Sequence, residues 1–277
     1  MSVKSILKSF SLGAALSFAA TATLAEGHCA AGLTIADGQL TIATGNPAYF
    51  PWVMDNDPAS GKGFEAAVAY AVASAMGFEK DNVIWTSASF DQSIQPGDKE
   101  FDFNLQQFSI TEDREKVVDF SAPYYSAAMA VLTRKGVVEA GATADLDSLK
   151  GLLWGADANT TGLQMIQGLI DPAKDPLLYN DNNDVVAAMK ANQIDAALFD
   201  LPTALYLSAV VLDDGALLGQ FPADRSENPD QFGLLMAEGN PIKACVDAAL
   251  KSIKDDGTLA KIEAEWLSET TGVPVIK

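Results

Sequence analysis

The chain has 277 residues, 48% hydrophobic and 20% charged, with 18 basic against 37 acidic side chains and a formal net charge of −19. Nucleic acid and anionic membrane surfaces are recognised through clustered cations, which this balance denies, and a chain with 13 Phe is too apolar for disorder. The length accommodates one or two domains, and two are expected.

Residues 1–25 read as a cleaved secretory signal peptide. Lys4 and Lys8 form a basic start, residues 9–20 (SFSLGAALSFAA) are uncharged and mostly apolar, and Thr23-Leu24-Ala25 offers small residues at a cleavage site. The apolar run falls short of the ~20 residues that a membrane-spanning helix requires. The mature protein is therefore expected in the periplasm.

Strand and helix patterns then alternate along the mature chain. Residues 39–44 (QLTIAT) read as a strand, and residues 64–76 carry Phe64, Val68, Val72 and Met76 on one helical stripe. Residues 83–86 and 101–105 read as strands around a short helical piece broken at Pro96-Gly97, and residues 128–133 as another strand. After Gly151 come a strand (152–155), two helices (160–170 and 185–191), a strand (196–199) and a helix (201–211). Residues 232–236 (FGLLM) form a strand ahead of a helix opened by Asn240-Pro241. This alternation predicts the α/β class, with sheets built from βαβ units. Residues 133–144 lack helical periodicity and contain two glycines; together with residues 232–236 they read as crossings between two lobes. Lobe one is expected over residues 30–132 plus 234–277 and lobe two over residues 133–233.

Two cysteines, Cys29 and Cys245, survive signal cleavage, and an exported chain with an even count invites a disulfide. The alternative is that Cys245 is a core thiol, because Ile242, Cys245, Ala249 and Ile253 share one helical face. Cys29 lies in a polar terminal segment with no packing use for it, which favours the bridge.

Catalytic signatures are scarce. His28 is the one histidine and sits in the N-terminal tail, so no imidazole base serves the core and no Ser–His or Cys–His pair can form. Metal-binding and nucleotide-binding spacings are absent, and Asp181-Asn182-Asn183-Asp184 reads as a turn and helix cap. No catalytic residue, metal or cofactor is expected.

The most informative stretch is residues 101–125, FDFNLQQFSITEDREKVVDFSAPYY, which sets Arg114 five residues after Ser109 at a strand-to-helix junction. Free backbone N–H groups and a guanidinium side by side can take a carboxylate through parallel hydrogen bonds. The alternative is a surface pairing of Arg114 with Glu112 or Asp119.

This stretch resembles the signature of the extracellular solute-binding proteins of amino-acid ABC transporters. Tyr49-Phe50-Pro51-Trp52, Gly63-Phe64-Glu65, the run from Ile194 to Asp200 and Asp256-Gly257-Thr258-Leu259 with Trp266 resemble further motifs of that family, in the same order. The resemblance implies a type II periplasmic-binding-protein fold: two lobes, each a mostly parallel sheet flanked by helices, joined by two hinge crossings. It implies that Arg114, with Ser109 and the backbone of Thr160, clamps the ligand's α-carboxylate. Asp200 would receive the α-ammonium, Tyr49 and Phe90 would cover its aliphatic part, and Asn46, Gln106, Gln107 and Trp52 would line the side-chain end. The plainer alternatives are an N-cap role for Asp200 and core packing for Tyr49 and Phe90. Gln106 and Gln107 stand where many relatives have small residues, and Asn159 stands at the glycine of the family's G-T turn. Ala67 replaces a second acid of the family pattern.

The implied function is capture of an amino acid, polar and by the amides neutral or acidic, for delivery to an ABC-transporter permease by a monomer. Rivals are a binder of another small carboxylate, a sensor input module, and a dehydratase-like enzyme with Glu65 or Asp102 as its general acid.

Overall fold

The structure is a computed structural model describing residues 29–223, 230–267 and 272–277. The expected signal peptide and His28 lie outside the described residues. The first part of the chain runs β1 (Leu40–Thr44), α1 (Phe64–Ala75), β2 (Val83–Ser87), α2 (Phe90–Ser93), β3 (Phe103–Asn104), β4 (Val118–Phe120) and β5 (Tyr125–Ala127). The middle runs β6 (Met129–Arg134), α3 (Lys135–Glu139), α4 (Leu146–Lys150), β7 (Gly155–Asp157), α5 (Thr161–Met165), β8 (Leu177–Tyr179), α6 (Asn182–Lys190), β9 (Ala196–Asp200), α7 (Leu201–Tyr206) and β10 (Gly215–Phe221). The last part is β11 (Asp230–Phe232), β12 (Leu235–Ala237), α8 (Lys243–Asp255) and α9 (Thr258–Trp266). Both α5 and α7 continue into a wider i→i+5 turn, Ile166–Ile170 and Leu207–Val211.

Lobe one is a five-stranded sheet in the order β2-β1-β3-β12-β4. β12 runs against both neighbours, while β1 pairs in parallel with β2 and β3. Lobe two repeats the plan. β6 lies antiparallel between β10 and β9, β7 pairs in parallel with β8, and a parallel bridge from Trp154 to Ala196 joins β7's edge to β9. Each sheet is therefore mostly parallel, as expected, with four strands running one way and a single strand reversed. The reversed strand in each is the one that follows a crossing.

Those crossings are β5 and β11, which pair antiparallel with Tyr125 opposite Phe232 and Ala127 opposite Asp230. The outward crossing thus precedes β6, and the boundary expected at residue 132 falls inside a strand of the second sheet. Residues 133–144 hold the end of β6 and the one-and-a-half-turn helix α3 instead of a crossing; its single short apolar pair, Val137-Val138, is too little to show a period. A second correction concerns the C-terminus. α9 packs in lobe one, yet residues 272–277 lie on lobe two: Val275 bridges Gln220, Ile276 N–H donates to the Gln220 carbonyl (3.0 Å) and Lys277 N–H to that of Ala144 (3.2 Å). The described residues of the tail thus belong to lobe two, while α9 belongs to lobe one.

Each sheet carries apolar side chains on both faces. In lobe one, α1, α8 and α9 cover one face through Phe64, Val68, Val72, Val246, Leu250, Ile253 and Leu259, and Phe101, Phe108, Val118 and Phe120 fill the other. α1 is apolar nearly all round because it is wedged between the sheet and two helices. It starts at Gly63, whose φ of 104° and close approach to Trp52 exclude a side chain: a Cβ would lie 2.5 Å from the Trp52 carbonyl oxygen. The disulfide Cys29–Cys245 is formed, with Cα atoms 5.6 Å apart, and ties the N-terminus to α8.

Candidate functional site

A cavity of about 300 Å³ opens between the lobes at the carboxyl ends of the strands, where α/β sheets place their ligand sites. β1 ends there at Thr44, β7 at Asp157 and β9 at Asp200, and the hinge contributes Asp230 and Phe232.

Arg114 enters from lobe one, buried although charged. One guanidinium nitrogen donates to the Ser109 carbonyl (2.8 Å) and another to the Asn159 carbonyl of lobe two (2.9 Å). Its Cζ lies 5.2 Å from the centre of the Phe90 ring, which stacks on Phe108. Burial lowers its pKa, and the fields of Asp230 and Asp157 act the other way. It is thus turned away from the surface pairing with Glu112 or Asp119; Asp119 instead accepts the N–H of Gly239.

Asp200 lines the cavity from lobe two and also caps α7, accepting Thr203 N–H at 2.8 Å. The two readings of this residue are compatible, because one oxygen serves the helix and the carboxylate still faces the cavity. Burial lifts its pKa to about 6, against the bonds from Thr203 that pull it down.

Ser109 Oγ lies 3.1 Å from Thr161 Oγ1 across the cleft, and Thr161 donates to Asp230 (2.9 Å), which Ser109 also bonds. Thr160 lines the cavity as the N-cap of α5: its hydroxyl donates to the Asp157 carbonyl (2.9 Å), and its N–H points to the same oxygen (3.4 Å). That engaged N–H corrects the expectation of a free backbone donor at Thr160; the next two residues, Thr161 and Gly162, begin the helix against the cavity. Tyr49 lines the cavity and donates its hydroxyl to Asn183 of lobe two; burial, then the charge of Asp181, lifts its pKa to about 12.

Asn46, Phe90, Gln106 and Gln107 also line the cavity. Asn46 accepts from Asn56 (3.2 Å). Gln107, at a φ of 51°, gives both its backbone and side-chain N–H to Glu65, which Tyr124 also bonds. Burial lifts Glu65 to about 7 despite these bonds. Gln106 Oε1 is buried without a hydrogen-bond partner among the described residues.

Trp52 does not line the cavity. It is 1% exposed, packed edge-on against Phe64, Tyr125 and Phe232, and its indole donates to Thr203. Its place after Pro51 turns it under the hinge, where an aromatic ring finds three others.

Sequence reasoning missed Asp157, Asp181 and Asp230. Asp157 ends β7 and accepts the Asn159 N–H (3.0 Å), Asp181 caps α6 (3.0 Å), and Asp230 stands in β11 beside Arg114. The strand-end position of Asp157 and the cap position of Asp181 were readable as local signals. That they share a cavity is a product of the fold.

Two α/β lobes on paired crossings, closing over a cavity lined by charged groups from both, define a solute-binding protein of the hinged, two-lobed class. The chain belongs to the bacterial extracellular solute-binding proteins, family 3, whose profile matches residues 40–269. It is 28% identical over 232 residues to an arginine-binding periplasmic protein of Mannheimia haemolytica, covering 80% of this chain and 88% of that one. It is 27% identical to the L-cystine-binding protein TcyJ of Escherichia coli K12 over 79% of each. Among solved structures, an ancestral arginine-binding protein bound to glutamine superposes with a TM-score of 0.68 at 25% identity, over 84% of this chain and all of that one.

Proposed function

We propose that the protein is the substrate-binding component of an amino-acid ABC transporter, working as a monomer in the periplasm after loss of residues 1–25 and needing no cofactor. The observation that carries this reading is that Arg114 of lobe one and Asp200 of lobe two line one cavity. An amino acid brings one anion and one cation out of water, each costly to bury unpaired. Arg114, with Ser109, answers the first and Asp200 the second, while Tyr49 and Phe90 flank the carbon skeleton. Because the two charges stand on different lobes, the ligand is fully satisfied only in the closed form and shifts the population toward it. The closed form is what a membrane permease would read.

A dehydratase needs a general acid at the substrate. Of the two acids suggested by the sequence, Asp102 is occupied by the N–H groups of Ile35 (2.9 Å) and Thr41 (2.7 Å), and Glu65 lies behind Gln107. A thermal-shift screen of the twenty amino acids and related small carboxylates tests the proposal. A ligand at 100 times its Kd adds about 2.7 kcal/mol of stability. A flat response to every amino acid overturns it.

A further inference from the structure

We infer that the amino acid held in this cavity carries a cationic side chain, and that Asp157 and Asp181 of lobe two form the subsite for that second positive charge. The inference rests on the reading above and deepens it.

Among the described residues, four carboxylates line the cavity, those of Asp157, Asp181, Asp200 and Asp230, against the one guanidinium of Arg114. Arg114 is flanked by two of them, Asp230 and Asp157, whose fields act on it directly. Asp200 is assigned to the α-ammonium. A ligand with a neutral side chain leaves the remaining negative charge uncompensated, and one with an acidic side chain adds to it. The cost falls on Asp157, which is buried: burial is the largest cause raising its pKa, and the neighbouring charges of Asp91 and Asp181 raise it further. β7 pairs with β8 so that Asp157 stands opposite Tyr179, two residues before Asp181, which brings the two carboxylates to the same wall. Asp91, across the cleft, donates no cation; it accepts the Asn159 amide (3.0 Å).

An independent feature of the opposite wall asks for the same chemistry. Gln106 Oε1 is a buried acceptor that no described residue satisfies, on a side chain lining the cavity. A buried acceptor without a donor costs free energy, and an ammonium or guanidinium brings donors with its charge. The neighbouring amide, Gln107, gives its backbone N–H and one side-chain N–H to Glu65 and makes no hydrogen bond to this oxygen. The amides alone would suit a neutral or acidic side chain, as the sequence suggested; the carboxylates facing them decide for a basic one.

Titration calorimetry with L-lysine, L-arginine, L-glutamine and L-glutamate tests the inference. L-lysine or L-arginine is expected to bind at least tenfold more tightly than L-glutamine, and L-glutamate to bind worst. Asp181→Asn keeps the α6 cap, since Asn caps as well as Asp, and is expected to weaken the basic ligand tenfold or more and to narrow its advantage over L-glutamine by at least fivefold. Asp157→Asn, which retains an acceptor for Asn159, is expected to do the same. Tighter binding of L-glutamine or L-glutamate, or equal losses for basic and neutral ligands in both variants, overturns the cationic subsite and leaves the amino-acid reading standing. Absence of binding by any amino acid overturns that reading itself.

Discussion

The indole N–H of Trp52 in lobe one donates to the hydroxyl of Thr203 in lobe two at 2.7 Å, and Thr203 in turn donates its backbone N–H to Asp200. A buried ring of one lobe is thereby linked through one residue to a carboxylate of the other. Trp52→Phe keeps the packing against Phe64, Tyr125 and Phe232 and removes this bond. A net hydrogen bond contributes about 0.5–1.5 kcal/mol, so ligand affinity is expected to fall roughly three- to tenfold, with unchanged circular dichroism. Calorimetry showing unaltered affinity would disconnect this contact from closure.

Arg114→Ala and Asp200→Ala each leave the ligand's opposite charge buried and unpaired. Each is expected to cost about 2–5 kcal/mol of binding, the range for a desolvated pair that loses one member. Undiminished affinity in both variants removes the zwitterion assignments.

Asp200 also sets a pH dependence. Its pKa of about 6 means that an ammonium must expel a proton from it at lower pH. Affinity is expected to weaken as pH falls through 6, with proton release detectable by calorimetry in buffers of unlike ionisation enthalpy. Asp200→Asn should abolish that release.

Glu65 acts on stability in the direction set by its raised pKa, about 7 when folded against an ordinary 4.5. The folded state holds this proton more tightly than the unfolded one, so its contribution is complete below pH 4.5 and is lost as pH rises to 7. The melting temperature of Glu65→Gln should therefore vary less with pH across that window than that of the parent. Parallel curves would contradict the assignment.

Cys29 and Cys245, 216 positions apart in sequence, close a long loop through a bridge that lies on lobe one. The double replacement by Ser is expected to lower stability by about 2–4 kcal/mol and to leave affinity within twofold, because the bridge does not touch the cleft. A large affinity loss in a folded double variant would show that it does more than anchor the terminus.

Much of this architecture was legible in the residue pattern. The stripe of Phe64, Val68 and Val72 marks α1, and the helices expected over 160–170 and 201–211 are continuous through their wide last turns. The outward crossing was misplaced because β5 is three residues long and β6 begins two residues after it, so one apolar run conceals both a hinge and a core strand. Trp52 was misassigned because an aromatic after Pro51 reads alike whether it faces a ligand or three other rings. The acidic wall was missed because Asp157, Asp181 and Asp230 are far apart in sequence and each has an ordinary local role.

The fate of the two chain ends has a practical consequence. Cys29 is welded to one half of the molecule, while residues 272–277 are stitched to the edge strand of the other. A fluorescent dye attached at each end would therefore ride on separate halves, and energy transfer between them would register every opening and shutting without a label inside the jaws. The polypeptide carries its own ruler in its termini.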